Sequence, residues 1–388
     1  MGWCYRQRHP IQRINKCFKH VRVLEFKKGH KIMNILKKAL ITLFAPAVLV
    51  GCLVGCSNNN QQDDRTVTIV DMEGKTVTVS KNVKKVACIS QSATDLMIAF
   101  GLGDKITGTY RSFTYNKWAA ELYPNAANYK AYSYSVSAEE LVADGIDLVI
   151  IQDTENADAF RNAGIPVIAV HQYSPTGAFD EEVYDVANIL GQLFPEAKAK
   201  ADLWIKDVRD TITDIQTKCG TMNSEKAVYY VNGEKSKGLY YSDGGNSMIS
   251  RIYDVANVRL ATEKYEVVNV HKVSDEEMVS LNPYAMMIGG AYQNNLIDEL
   301  NSSPVWSTLD CNQQNRVYRI PVCMVGIENV SAETPLMLKY TASLFNEYTF
   351  DLSAEMKESI KKYFNYDLTD ADVNNMANGL DKNGARMV

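Results

Sequence analysis

The folded part of the chain opens on period-two alternation. Thr66-Val67-Thr68-Ile69-Val70 and Thr76-Val77-Thr78-Val79 are β-branched runs flanking Asp71-Met72-Glu73-Gly74, a pattern that predicts a β-hairpin. Continuous apolar runs follow. Lys85-Val86-Ala87-Cys88-Ile89 predicts a short buried strand, with a helix from about Thr94 to Phe100 behind it. Lys105 to Tyr110, Leu148 to Ile151 and Pro166 to Val170 read as further strands, and Glu139 to Val142 as helix. Strands that alternate with helices predict a parallel sheet.

The period then changes to that of helices. Phe179, Val183, Val186, Leu190 and Leu193 share one face of residues 179–193. Pro195 suits the first turn of a new helix, which runs to about Lys218 with Ala201, Trp204, Ile205, Val208, Ile212 and Ile215 apolar. A helix of that length spans roughly 35 Å and can bridge two lobes. After Gly220 the alternation restarts, with strands at 227–231, 285–288 and 316–320 and helices at 247–257, near 333–345 and near 353–365. An internal repeat accompanies the restart. Val136-Ser137-Ala138-Glu139-Glu140-Leu141-Val142 precedes the strand at 148–151, and Val273-Ser274-Asp275-Glu276-Glu277-Met278-Val279 precedes the strand at 285–288. Motif and strand share one offset of 137 positions, so the halves read as two copies of one α/β unit.

Charge separates a leader from this body. Of 388 residues, 1–55 hold eleven Lys or Arg and one acid, Glu25, leaving a net −15 on the rest. A body so acidic argues against nucleic acid as a partner. From Met33 the chain reads as a signal peptide, with Lys37 and Lys38 ahead of an apolar stretch from Ala39 to Val50 that is short for a bilayer. Met33 is therefore the expected initiator. Leu53-Val54-Gly55-Cys56 resembles a bacterial lipobox, which implies cleavage before Cys56 and a lipid on its sulfur. The same letters end at Cys52, and a plain transmembrane anchor is a third reading. Cys56 is preferred because Ser57 and a polar run to Asp64 follow it, as a flexible tether would. The expected organisation is a leader at 1–55, a tether at 56–65, an N-terminal lobe at 66–177, linking helices at 178–219 and a C-terminal lobe at 220–388. Cys88, Cys219, Cys311 and Cys323 in the body show neither a CxxC nor a disulfide spacing.

Over about 66–388 the chain resembles the periplasmic-binding-protein family of ABC importers that serve iron–siderophores, haem and cobalamin. The likeness rests on Thr68 to Val79, Gly101-Leu102-Gly103-Asp104-Lys105-Ile106-Thr107-Gly108 and the bridging helix. Ser303-Pro304-Val305-Trp306, Asn315 to Pro321 and Glu333-Thr334-Pro335-Leu336-Met337 continue it, in that order. The resemblance implies an α/β fold of two Rossmann-like lobes bridged by one long α-helix, with ligand in the cleft between them. It also implies an ABC permease dimer with its ATPase as partner, a lipid-anchored extracytoplasmic location and a monomer. Glu139 and Glu276 match the acidic residue that each lobe presents to the permease, with Glu140 and Glu277 as the neighbouring pair. The simpler alternative is that they are first-turn acids favoured by the helix dipole.

The ligand wall is sought at the carboxyl ends of the strands. Tyr110, Arg111, Phe113, Tyr115 and Trp118 follow one strand, Tyr132 and Tyr134 precede Glu139, and Tyr241 and Tyr292 follow strands of the second half. Aromatic faces with an Arg suit a large, flat, anionic chelate, though some of these rings are expected to fill the interior. His271 and Met324 complete the candidate set, with Arg319 and Glu328 as weaker members. His171 and His271 are the histidines left in the body, too few for the usual bare zinc site. The expected cargo is a metal chelate, an iron(III)–siderophore first and a corrinoid or haem second, with no resident cofactor. Enzyme motifs of the GxSxG, P-loop, HExxH and GxGxxG types are absent from the body. A lipid-tethered enzyme or adhesin on the same fold is the rival class.

Overall fold

The computed structural model describes residues 65–170, 179–220, 226–233, 237–267 and 270–387. Cys52, Cys56, Met33, the leader, His171 and the tether up to Asp64 lie outside them, so the lipobox and initiator readings do too. Strands β1 (Thr66–Val70) and β2 (Thr76–Ser80) pair antiparallel as the expected hairpin. The strands β3 (Val86–Ile89), β4 (Ile106–Tyr110), β5 (Lys130–Tyr132), β6 (Leu148–Ile151) and β7 (Val167–Ala169) form a parallel sheet in the order β5-β4-β3-β6-β7. In the second half, β8 (Ala227–Val231), β10 (Arg259–Leu260), β12 (Ala285–Ile288) and β13 (Val317–Arg319) form another, in the order β10-β8-β12-β13. A short antiparallel pair, β9 (Tyr241–Asp243) and β11 (Val270–Lys272), stands beside it.

The two sheets have one strand order. β4-β3-β6-β7 corresponds to β10-β8-β12-β13, and the repeat motif precedes the equivalent strands β6 and β12. All four residues of β3, β6 and β12 are buried, as parallel strands covered on both faces require. That burial is why they read as unbroken apolar runs rather than alternations.

Two helices link the lobes. The first is Phe179–Leu193; the second, Lys198–Lys218, has 21 residues and is about 31 Å long. Its predicted face, Ala201, Trp204, Ile205, Val208, Ile212 and Ile215, is the buried one. Further contacts tie the lobes. Asn116 of the N-terminal half donates through Nδ2 to the carbonyls of Cys323 and Met324, both at 2.9 Å. Asp95 Oδ1 accepts the Ala332 N–H at 2.7 Å, and Trp204 Nε1 donates to the Ser331 carbonyl at 3.0 Å. Residues 321–333 thus form a hydrogen-bonded seam between the halves. Among the described residues no helix is long and apolar enough to cross a membrane.

Candidate functional site

At the carboxyl edge of the N-terminal sheet, β4 ends at Tyr110 and turns directly into a short helix, Arg111–Tyr115. Tyr110 stacks on Tyr134, with ring centroids 4.2 Å apart and planes 21° from parallel. Tyr115 is 54% exposed. Arg111 is exposed, and among the described residues no carboxylate pairs with it. This loop is held from behind. Asn116 Oδ1 caps the following helix by accepting the Trp118 N–H at 3.0 Å, while its amide binds the seam carbonyls. One side chain therefore positions both the aromatic loop and the lobe contact.

The C-terminal sheet offers a second edge. The ends of β8 and β12 approach closely at Gly233 and Gly289–Gly290. A Cβ on Gly233 would sit 1.9 Å from the Gly289 carbonyl oxygen, and Gly233 and Gly290 adopt φ of 78° and 72°. Only glycine fits both demands. Tyr292 follows as N-cap residue of the helix Gln293–Ser302, and half-buried Tyr241 lies on β9. The structure thus groups Tyr110, Arg111, Tyr115 and Tyr134 on one edge and places Tyr241 and Tyr292 at the other half.

Three candidates fall elsewhere. Trp118 is completely buried, and its Nε1 donates to the Leu380 carbonyl at 2.8 Å, so it anchors the C-terminal segment. Tyr132 points into the interior and its hydroxyl donates to Asp144 Oδ2 at 2.7 Å. Met324 is buried in the seam. None of the three has surface to offer a ligand. His271 is held within its own lobe: its ring stacks on Tyr265 at 3.6 Å, and Nε2 lies 3.8 Å from Glu277 Oε2. Burial and nearby Lys264 hold its pKa below the usual histidine range. Arg319 is half-buried, its Nε directed at Asn294 Oδ1, 3.3 Å away. Among the described residues no three His, Cys, Asp or Glu side chains converge as metal ligands, and the cysteines are free thiols.

Pattern reading named Glu328 as a weaker candidate but did not single out the acids Asp95, Glu333 and Asp243 as site residues. Asp95 lies in the helix Gln91–Ala99 and Glu333 at the start of the helix Thr334–Phe345, both completely buried. Asp95 Oδ2 and both side-chain oxygens of Glu333 accept no hydrogen bond. Glu328 receives the Gly290 N–H at 2.9 Å on Oε1 and leaves Oε2 without a partner. Burial pushes Asp95 and Glu328 up to about 7 and Glu333 well above the carboxylate range. Asp243, at the end of β9, is pushed up to about 6 for the same reason. The one available signal was an aspartate inside the apolar run Thr94-Asp95-Leu96-Met97-Ile98.

The repeated helices carry the acids differently. In Ala138–Ala143 the Ser137 hydroxyl accepts the Glu140 N–H at 3.1 Å; in Asp275–Leu281 the Ser274 hydroxyl accepts the Glu277 N–H at 3.2 Å. Glu140 pairs with Lys130 at 2.8 Å, and Glu277 lies 3.7 Å from Lys264. Glu139 and Glu276 are exposed and, among the described residues, have no ion-pair partner. In both lobes the second glutamate is engaged internally and the first faces solvent.

Known proteins resemble this chain in sequence and in fold. The chain is 26% identical over 285 residues to an uncharacterized ABC transporter substrate-binding lipoprotein of Bacillus subtilis, covering 69% of this chain and 85% of that protein. It is 26% identical over 239 residues to the vitamin B12-binding protein of Vibrio parahaemolyticus, covering 58% and 81%. In fold it is similar to the molybdate-bound periplasmic protein MolA of Haemophilus influenzae, with a TM-score of 0.67 at 14% identity over 78% of this chain and 99% of that one. The profile of the periplasmic binding protein family matches residues 86–322, more than half the length, and the chain belongs to that family.

Proposed function

We propose that the protein is the extracytoplasmic, lipid-anchored substrate-binding component of an ABC importer, and that it captures a metal chelate between its lobes. The observation that carries the cargo class is the carboxyl edge of β4. There a stacked tyrosine pair, an exposed tyrosine and an unpaired Arg111 offer flat aromatic faces and one cation. Such a surface suits a large planar or anionic complex rather than a bare ion. Tyr241 and Tyr292 supply the opposite wall. An iron(III)–siderophore is the first cargo. A corrinoid is the second reading, favoured by the relationship to a vitamin B12-binding protein. The lipid is carried by Cys56. Glu139 and Glu276 dock on the permease, because they are the members of each glutamate pair left without an internal partner.

The purified body is screened by thermal shift against ferric siderophores, corrinoids and haem. A ligand at one hundred times its Kd stabilises by about 2.7 kcal/mol and raises Tm. A shift with a ferric siderophore supports the first reading, and one with a corrinoid alone replaces it with the second. No shift with any metal chelate removes this cargo class.

A further inference from the structure

Six large apolar side chains stand exposed among the described residues: Val70, Tyr115, Val142, Leu203, Val267 and Val279. Two of them, Val142 at 52% and Val279 at 56%, are separated by the repeat offset of 137 positions. Each lies three residues after the unpaired glutamate of its lobe, on the same helix face one turn further on. The opposite face is fixed by Leu141 in one lobe and Met278 in the other, both completely buried. The valines are thus turned outward by the packing of their own helices. A single exposed valine is ordinary. A valine duplicated at equivalent places, beside a carboxylate with no internal partner, is not accounted for by either core. Nor does local propensity ask for it, since β-branched side chains are poor helix formers on a solvated face.

We propose that Glu139 with Val142, and Glu276 with Val279, form two equivalent docking knobs that seat in two equivalent sockets of a two-fold-symmetric membrane permease. The inference rests on the importer reading above. Two copies of one patch fit a partner built of two like subunits. An exposed carboxylate on a body of net −15 calls for a basic side chain in each socket, and the valine calls for an apolar pit beside it. Seating the valine excludes water from the neighbouring ion pair, which strengthens it and slows dissociation. The glutamates steer the encounter and the valines hold the complex.

The test uses the permease–ATPase complex in nanodiscs, with ATP hydrolysis stimulated by the wild-type protein as readout. Val142→Ser and Val279→Ser should each raise the half-maximal concentration about tenfold, and the pair about a hundredfold. Cargo affinity and Tm should stay at wild-type values, since both side chains are more than half exposed. Val70→Ser, 60% exposed and outside the repeat, should match wild type. Wild-type stimulation by the double valine variant, with loss in the Glu139→Gln, Glu276→Gln protein, overturns the knobs but keeps the dock. An effect at one valine alone overturns the two-fold equivalence. Failure of the wild-type protein to stimulate any permease complex overturns the importer reading itself.

Discussion

Arg111 shows what one residue decides. It is exposed at a strand end next to Tyr110, with no carboxylate partner among the described residues, in a body rich in acids. An anionic chelate seated there would desolvate the guanidinium. Arg111→Ala should then cost about ten- to a hundredfold in affinity, the loss of a charge-assisted hydrogen bond of roughly 1.5–3 kcal/mol. Arg111→Lys should recover part of it, because an ammonium lacks the planar fork and the stacking surface. Titration of both variants with the best chelate from the screen checks this, and wild-type affinity in both removes Arg111 from the wall. Position along the chain put Tyr110 and Tyr134 in one candidate set with Trp118 and Tyr132, whereas the first two stack on each other and the last two are buried. Nearness along the chain does not say which way a ring faces. Trp118 belongs to the helix Lys117–Leu122, too short to show a periodicity. Tyr132 lies on the three-residue strand β5, where one position decides between interior and surface.

The elements that the sequence made plain are those whose period ran longest or whose burial was complete: the hairpin, β3, β6, β12 and the helix Lys198–Lys218. The short β5, the β9 and β11 pair and the helix Gln293–Ser302 gave no comparable run, because each is held by tertiary contacts rather than by its own pattern. The repeated helices Ala138–Ala143 and Asp275–Leu281 are also short, and neither would be stable alone. Their serine caps therefore matter. Ser137→Ala and Ser274→Ala should each lower stability by about 1 kcal/mol, measured as a urea midpoint with unchanged m-value. The two losses should be similar, since cap geometry and buried anchor are the same in both lobes. A loss at one serine only would show that the repeat is a likeness of sequence without a likeness of energetics.

At the scale of the whole molecule, the seam between the lobes sets a pH dependence. Asp95 from the N-terminal half and Glu333 from the C-terminal half lie against each other in the interior, with three oxygens that accept no hydrogen bond. The titratable groups that feel the pair are themselves acidic: beyond the effect of burial, both carboxyls push the Cys323 thiol up, and Glu333 does the same to the Tyr363 hydroxyl. Among the described residues no lysine or arginine offsets the pair's charge, so the folded protein keeps protons there that the unfolded chain releases near pH 4. Stability from these groups is complete below that pH and is lost as pH rises toward 7 and beyond, because the folded state then binds more protons than the unfolded one. Holding a single aspartate up at about 7 corresponds to on the order of 4 kcal/mol. Surface acids with lowered pKa values, such as Asp144 held down by its bond to Lys130, act in the opposite sense and lose their contribution as pH falls below the ordinary carboxylate range. The difference between two proteins isolates the seam. Glu333→Gln carries a permanent donor where the acid needs a proton. Its Tm should equal that of the wild type near pH 4 and exceed it by several degrees at pH 8. Asp95→Asn should show the same divergence, keeping an acceptor for the Ala332 N–H. Tm curves that stay parallel from pH 4 to 8 in both variants would mean that the seam holds no proton.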